Sequence, residues 1–137
     1  MTKKTTPKWE TALARIEQKG WGDVNLLCDG IAVSWRYVRV GNRLCFIYYI
    51  DGEFHGYYSN SDSPIGAKFG IPQRARMSKE HYDTLVRHAM KAYADERKAK
   101  IAATVLGYNP FHNTAASVIR TLKRTCTEIT LGHNAQL

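Results

Sequence analysis

Seven cations in two groups are the residues whose types and spacing could do chemistry. Lys68, Arg74, Arg76 and Lys79 follow one another with no acid between Gly66 and Lys79, and Arg120, Lys123 and Arg124 lie in a stretch, Asn113 to Thr127, that also holds none. Cations three and four residues apart share one side of a helix and repel one another, and a polyanion relieves that repulsion. The chemistry they offer is phosphate binding, with affinity that falls steeply with salt and little choice of sequence. Gly66 and Gly70 would let backbone amides come close to a phosphate, although the Gly-Lys-Thr or Gly-Lys-Ser of a nucleotide P-loop is absent. Each group also has an ordinary reading. The last three are cations near a helix C-terminus, where the macrodipole favours them, and the first four sit on a basic surface loop.

A second set of candidates is aromatic. Trp35, Tyr37, Phe46, Tyr48, Tyr49, Phe54, Tyr57 and Tyr58 crowd one segment beside Arg36, Arg39 and Arg43. Trp35, Tyr37, Tyr57 and Tyr58 are candidates for stacking on unpaired bases or for a protein interface, against the competing demand of core and cross-strand packing. His55, His81, His88, His112 and His133 show no HxH or HxxxH spacing, so no metal centre is expected. There is no Ser-His-Asp pattern, carboxylate pair or dinucleotide fingerprint, so neither a catalytic residue nor a cofactor is assigned.

Phe46-Ile47-Tyr48 on one β-like run and Gly56-Tyr57-Tyr58 on the next resemble the two tyrosine-bearing hairpin strands of the GIY-YIG nucleases. The resemblance covers that hairpin alone. The first motif lacks its glycine and the second has its residues in another order. Neither Arg87 nor Glu96 matches the family's downstream arginine and metal-binding glutamate, so no site residue is carried over.

The elements that must position these groups are those of an α+β fold. Thr6 as cap, Pro7 as first helical residue, and Trp9, Leu13 and Ile16 on one face predict a helix over residues 8–19, stopped by Gly20. Val24 to Cys28, Ile31 to Val40, Arg43 to Ile50 and Glu53 to Ser59 are four β-like runs, separated by Asp29-Gly30, Gly41-Asn42 and Asp51-Gly52. Such dipeptides reach the backbone angles of two-residue hairpin turns, so an antiparallel meander of three to five strands is expected over residues 24–59. The third run is apolar on both faces, as in a central strand.

Residues 60–77, with two Pro and two Gly, read as a basic loop. Ser78 caps a helical pattern from Lys79 to Leu106, either one helix of about 28 residues or two with a break near Asp95. Asn113 or Thr114 starts a last helix ending near Thr125. Glu128 to Leu131 suits a short last strand, and residues 132–137 a frayed tail. The N-terminal helix and two or three C-terminal helical segments are expected to pack on the sheet, in a single domain over residues 1–137.

The net charge is +8 and unevenly spread: residues 1–65 hold 8 Lys/Arg and 7 Asp/Glu, residues 66–137 hold 12 and 5. Cys28, Cys45 and Cys126 are too far apart for a disulfide framework or a zinc site and read as reduced thiols. With no long apolar run and no apolar segment behind the basic N-terminus, neither a membrane span nor a secretory signal is expected, and the location expected is cytoplasmic.

The expectation is a small, basic, non-enzymatic protein that engages nucleic acid or a nucleic-acid-handling complex through a cationic face. Two other readings stay open. One is a protein–protein inhibitor or adaptor, of the kind phages and mobile elements carry, set on an acidic protein surface. The other is an enzyme with a scattered site, such as a nuclease.

Overall fold

Positive φ angles at Asp29 (51°), Gly30 (85°), Asp51 (53°) and Gly52 (78°) form the tight corners of the computed structural model, which describes residues 6–132. Aspartate tolerates this region better than most side chains and glycine enters it without strain, which is why these dipeptides turn the chain back. Between the corners run β1 (Gly22–Cys28), β2 (Ile31–Val40) and β3 (Arg43–Ile50). In register, Val24 faces Trp35, and Trp35 faces Tyr48. A short β6 (Ile129–Leu131) adds to β1, so the antiparallel sheet has the order β3-β2-β1-β6.

Helix α1 (Lys8–Lys19) buries Trp9, Leu13 and Ile16 and ends at Gly20, whose φ is 89°. Its start differs from the expectation: Pro7 is the cap, and no side chain, Thr6 included, bonds to the free amides. The Pro7 carbonyl instead accepts from the amides of Glu10 and Thr11 at 3.1 and 3.2 Å.

The expected fourth strand is absent. Glu53 pairs with Ile50 across the turn, and Gly56–Ser59 is then a 3-10 helix. Aromatic packing draws the chain away from the sheet here: Phe54 and Tyr58 settle on Tyr48 with ring centroids 5.6 and 6.0 Å apart. The paired tyrosine strands that suggested the nuclease hairpin are therefore missing. Strand β3 is accordingly an edge strand, not a central one. Its free edge is met at one point by His112, which exchanges backbone hydrogen bonds of 2.7 and 2.9 Å with Phe46. On the face away from the core, the Arg36 guanidinium stacks 4.2 Å from the Tyr49 ring.

The supposed loop of residues 60–77 is mostly ordered into α2 (Pro64–Phe69) and β4 (Ile71–Arg74). Proline stands in the first turn of α2, where no amide partner is lost, and the Ser63 hydroxyl accepts from the Gly66 amide at 3.1 Å. Gly66 is required by closeness rather than by a ligand, since a Cβ there would lie 2.0 Å from the Tyr58 carbonyl oxygen.

The long helical pattern divides into α3 (Lys79–Arg87) and α4 (Lys91–Ala102), broken at His88–Met90 instead of near Asp95. Ala89, at φ 59°, reverses the chain at the break. Val105 and Leu106 do not continue the helix. They open β5 (Val105–Asn109), which pairs antiparallel with β4. Thr114 caps α5 (Ala115–Thr125) by accepting from the Ser117 amide at 3.1 Å.

The core lies between one face of the sheet and helices α1, α2 and α5. Trp35 is fully buried and makes edge contacts with Tyr48, Phe69 and His112 at 5.5, 6.2 and 5.3 Å. Leu13, Leu26, Val118 and Leu122 complete it, and each such side chain contributes about 1.5–3 kcal/mol by leaving water. Helices α3 and α4 pack chiefly on each other rather than on the sheet. The tail positions 133–137 lie outside the described residues, and Gly132 donates to the Asn25 carbonyl at 2.7 Å.

Candidate nucleic-acid interface

Arg74, Arg76 and Lys79 come together because β4 ends at the mouth of the α3–α4 hairpin. The β4–β5 register shifts at Gln73/Arg74, and the Ala75 amide then bonds to Thr104 at 2.9 Å. Met77 is buried beside this segment, and Ser78 caps α3 by accepting from the His81 amide at 3.1 Å. The result is an open groove of about 730 Å³ with Pro72, Met77, Tyr82 and Ala102 on its walls and Arg74, Arg76, Lys79 and Lys98 around it. No carboxylate lines it.

Lys98 is a member that reasoning along the chain missed. Its ammonium lies 5.1 Å from the centre of the Tyr82 ring, held there by attraction to the ring face. Tyr82 in turn donates from its hydroxyl to Asp95 at 2.5 Å, and Lys91 bonds the same carboxylate at 2.9 Å. The Tyr82 bond, then the Lys91 bond, hold the Asp95 carboxyl below its ordinary range. Arg74 is steadied by a 3.4 Å bond from its Nη1 to the Ala103 carbonyl and is otherwise exposed.

Lys68 belongs elsewhere. It donates to Asp29 at 2.7 Å and to the Thr125 carbonyl at 3.3 Å, and the Thr125 hydroxyl returns a 2.7 Å bond to the Lys68 carbonyl. Asp29 also accepts from the amides of Thr127 at 2.9 Å and Glu128 at 2.7 Å. The Lys68 bond first, then the Glu128 and Thr127 amides, bring the Asp29 carboxyl down to about 2, and the same bond raises Lys68. This is a clasp joining the β1–β2 turn, α2 and the end of α5. Its lysine is already neutralised, so Lys68 is corrected from loop cation to structural tie. Gly66 and Gly70 are also spoken for: the Gly66 amide bonds to Ser63 and the Gly70 amide to the Gly66 carbonyl at 2.7 Å.

On α5, Arg120, Lys123 and Arg124 are exposed as expected of one helix side. Lys123 reaches Glu10 of α1 at 3.2 Å, so part of that charge is compensated, and α5 itself rests on α1 and α2. The groove cations and the α5 cations thus stand on different elements: the former on β4, the connector after it, α3 and α4, the latter on a helix packed into the body.

The aromatic candidates separate by burial. Trp35 and Tyr58, candidates for stacking or an interface, are core residues and so are packed away from any such partner, while Tyr37 is partly buried against Phe46 at 4.5 Å. Tyr57 remains 58% exposed and lies parallel to the His55 ring at 5.1 Å. His112, fully buried, bonds through Nε2 to the Phe69 carbonyl and through Nδ1 to Ser117 Oγ, both at 2.8 Å. A carbonyl only accepts, so Nε2 carries the proton and the Ser117 hydroxyl donates to Nδ1. Burial pushes the imidazole below its ordinary range, which keeps this pair neutral.

Among the described residues no cluster of His, Cys, Asp and Glu is arranged to hold a metal, and no helix is long and apolar enough to cross a membrane. No family model matches the chain, and no match was found among curated proteins or solved structures.

Proposed function

We propose that the chain is a small basic binding protein that holds nucleic acid by its phosphates in the groove of Arg74, Arg76, Lys79 and Lys98. One observation carries the reading: four cations surround an open groove that no carboxylate lines. Guanidinium groups fork onto phosphate oxygens, and ammonium groups act as point charges beside them. Contacts of this kind supply affinity without choice of sequence. Arg120 and Arg124 add a separate positive surface to the same molecule, which raises the rate of encounter more than the strength of the complex.

The test is a titration of labelled single- and double-stranded oligonucleotides across a salt series. The logarithm of affinity should fall linearly with the logarithm of salt. Arg74→Gln with Arg76→Gln should flatten that slope by about two, one per lost phosphate contact. Arg120→Gln with Arg124→Gln should change it less. Absence of binding at low salt, or an affinity indifferent to the Arg74 and Arg76 replacements, would remove the proposal.

A further inference from the structure

The α3–α4 hairpin is folded but uncovered. Of the apolar residues of α3, Tyr82 meets Asp95 and Lys98 of α4 and Leu85 is half-buried, whereas Val86 on the next position round the helix stays exposed, and an amphipathic helix in a folded protein lays its apolar residues against something. Yet α3 has no buried residue, and α4 buries only Ala94. Val86, Met90 and Tyr93, gathered where the two helices join, are 36%, 41% and 51% exposed. Helices of 9 and 12 residues are too short to hold on propensity alone and depend on packing.

Charge says what kind of surface covers the hairpin. Residues 79–102 hold six Lys/Arg and four Asp/Glu. The four acids disfavour a polyanion or an anionic lipid surface along the length of the hairpin, whatever the groove at its base holds. The charges are also ordered. Glu80 and Asp83 lie in the first half of α3, Arg87 ends it, and Lys91 begins α4. Two copies of α3 laid antiparallel set Glu80 and Asp83 of each against Arg87 of the other, with Lys91 at the tip of the hairpin beside it.

We propose that the α3–α4 hairpin is the contact surface for a second copy of this chain. The two α3 helices lie antiparallel about a two-fold axis near Leu85 and Val86. Such an axis makes the contact self-complementary, the commonest form of association between identical chains. Glu80 and Asp83 then approach Lys91 and Arg87 of the second copy, and the exposed Val86, Met90 and Tyr93 of both copies leave water together. The monomer's own pairing of Lys91 with Asp95 at 2.9 Å does not oppose this, because exposed pairs one helical turn apart contribute only tenths of a kcal/mol. The inference is independent of nucleic-acid binding.

Sedimentation equilibrium without nucleic acid, over about 1–500 µM protein, tests it. The wild-type chain should pass from monomer to dimer in that range, and a monomer throughout overturns the proposal. Val86→Asp with Tyr93→Asp should weaken association about tenfold or more while the circular-dichroism melt of the body stays in place. Undiminished association of that variant overturns the proposal too. A charge exchange guards against a variant that fails to fold. Glu80→Lys with Asp83→Lys in one chain, and Arg87→Glu with Lys91→Glu in another, should each weaken self-association, and mixing the two chains should restore it. If the mixture associates no better than its components, the antiparallel arrangement is wrong.

Discussion

Strand β2 and helix α3 each repeat apolar side chains at the period of their own geometry, and they meet opposite ends. Val33 and Trp35 of β2 lose nearly all contact with water, whereas α3 buries none of its residues. The difference lies in what stands opposite. Strand β2 is roofed by α1, α2 and α5, while α3 faces α4 and little else. Charge follows the same division. Residues 71–109 hold eight Lys/Arg and four Asp/Glu, whereas residues 6–70 and 110–132 together hold ten and eight. Amphipathic pattern alone therefore does not say that an element belongs to the core. It says that the element needs cover, and in this molecule the body supplies its own while the arm formed by α3 and α4 does not.

The largest test of that contrast is Trp35→Ala, which should cost about 3–5 kcal/mol in urea unfolding, against a change within about 0.5 kcal/mol for Val86→Ala in the arm of the monomer. Equal losses would mean that the arm is part of the cooperative core. Next comes Gly66→Ala. The added Cβ would meet the Tyr58 carbonyl at 2.0 Å, so backbone must move, at a cost of about 1–3 kcal/mol by the same measurement. An unchanged midpoint would show that α2 can slide.

The clasp should give a smaller effect, visible through pH. The Asp29 carboxyl is lowered to about 2 by Lys68 and two amides, so the folded chain binds this proton less readily than the unfolded one. Its contribution is present above about pH 4 and is lost as pH falls through 4 toward 2. Lys68, raised by the same bond, contributes below its ordinary value and loses that contribution as the alkaline range is climbed. Asp29→Asn should therefore lie furthest below the wild type near neutrality, and the gap should close in urea melts toward pH 2. A gap that ignores pH would show that Asp29 acts by turn geometry alone. The smallest expected effect is Ala89→Gly. A non-glycine residue at φ 59° is strained, so relief should offset glycine's extra chain entropy and leave the stability of the arm, read by urea unfolding, unchanged or raised by up to about 1 kcal/mol. A clear loss would mean that the Ala89 methyl packs in the arm.

How much of this could be read along the chain depended on how local the cause was. The turns at Asp29-Gly30, Gly41-Asn42 and Asp51-Gly52 and the cap at Ser78 are consequences of neighbouring residues, and they stand where expected. Helix α2 was hidden because Pro64 and Gly70 interrupt structure in most settings, yet they also suit the first turn and the far end of a short helix. Val105 and Leu106 extend a helical stripe as well as they open a strand, and only the presence of β4 decides. The site divides in the same way. Arg74, Arg76 and Lys79 are near neighbours and were found together. Lys98 enters from another helix, and Lys68 leaves because of an aspartate 39 residues distant.

The arm departs from the body and returns to it at nearly one point, where the Ala75 amide meets the Thr104 carbonyl at 2.9 Å. An excursion whose two ends touch is a detachable cassette. The entropy of closing such a loop grows only with the logarithm of its length, so a tight turn could replace the whole of α3 and α4 with little change to the sheet beneath. The same junction would accept a longer or differently charged hairpin, which makes it the place where this scaffold can be given new attachments without relearning how to fold.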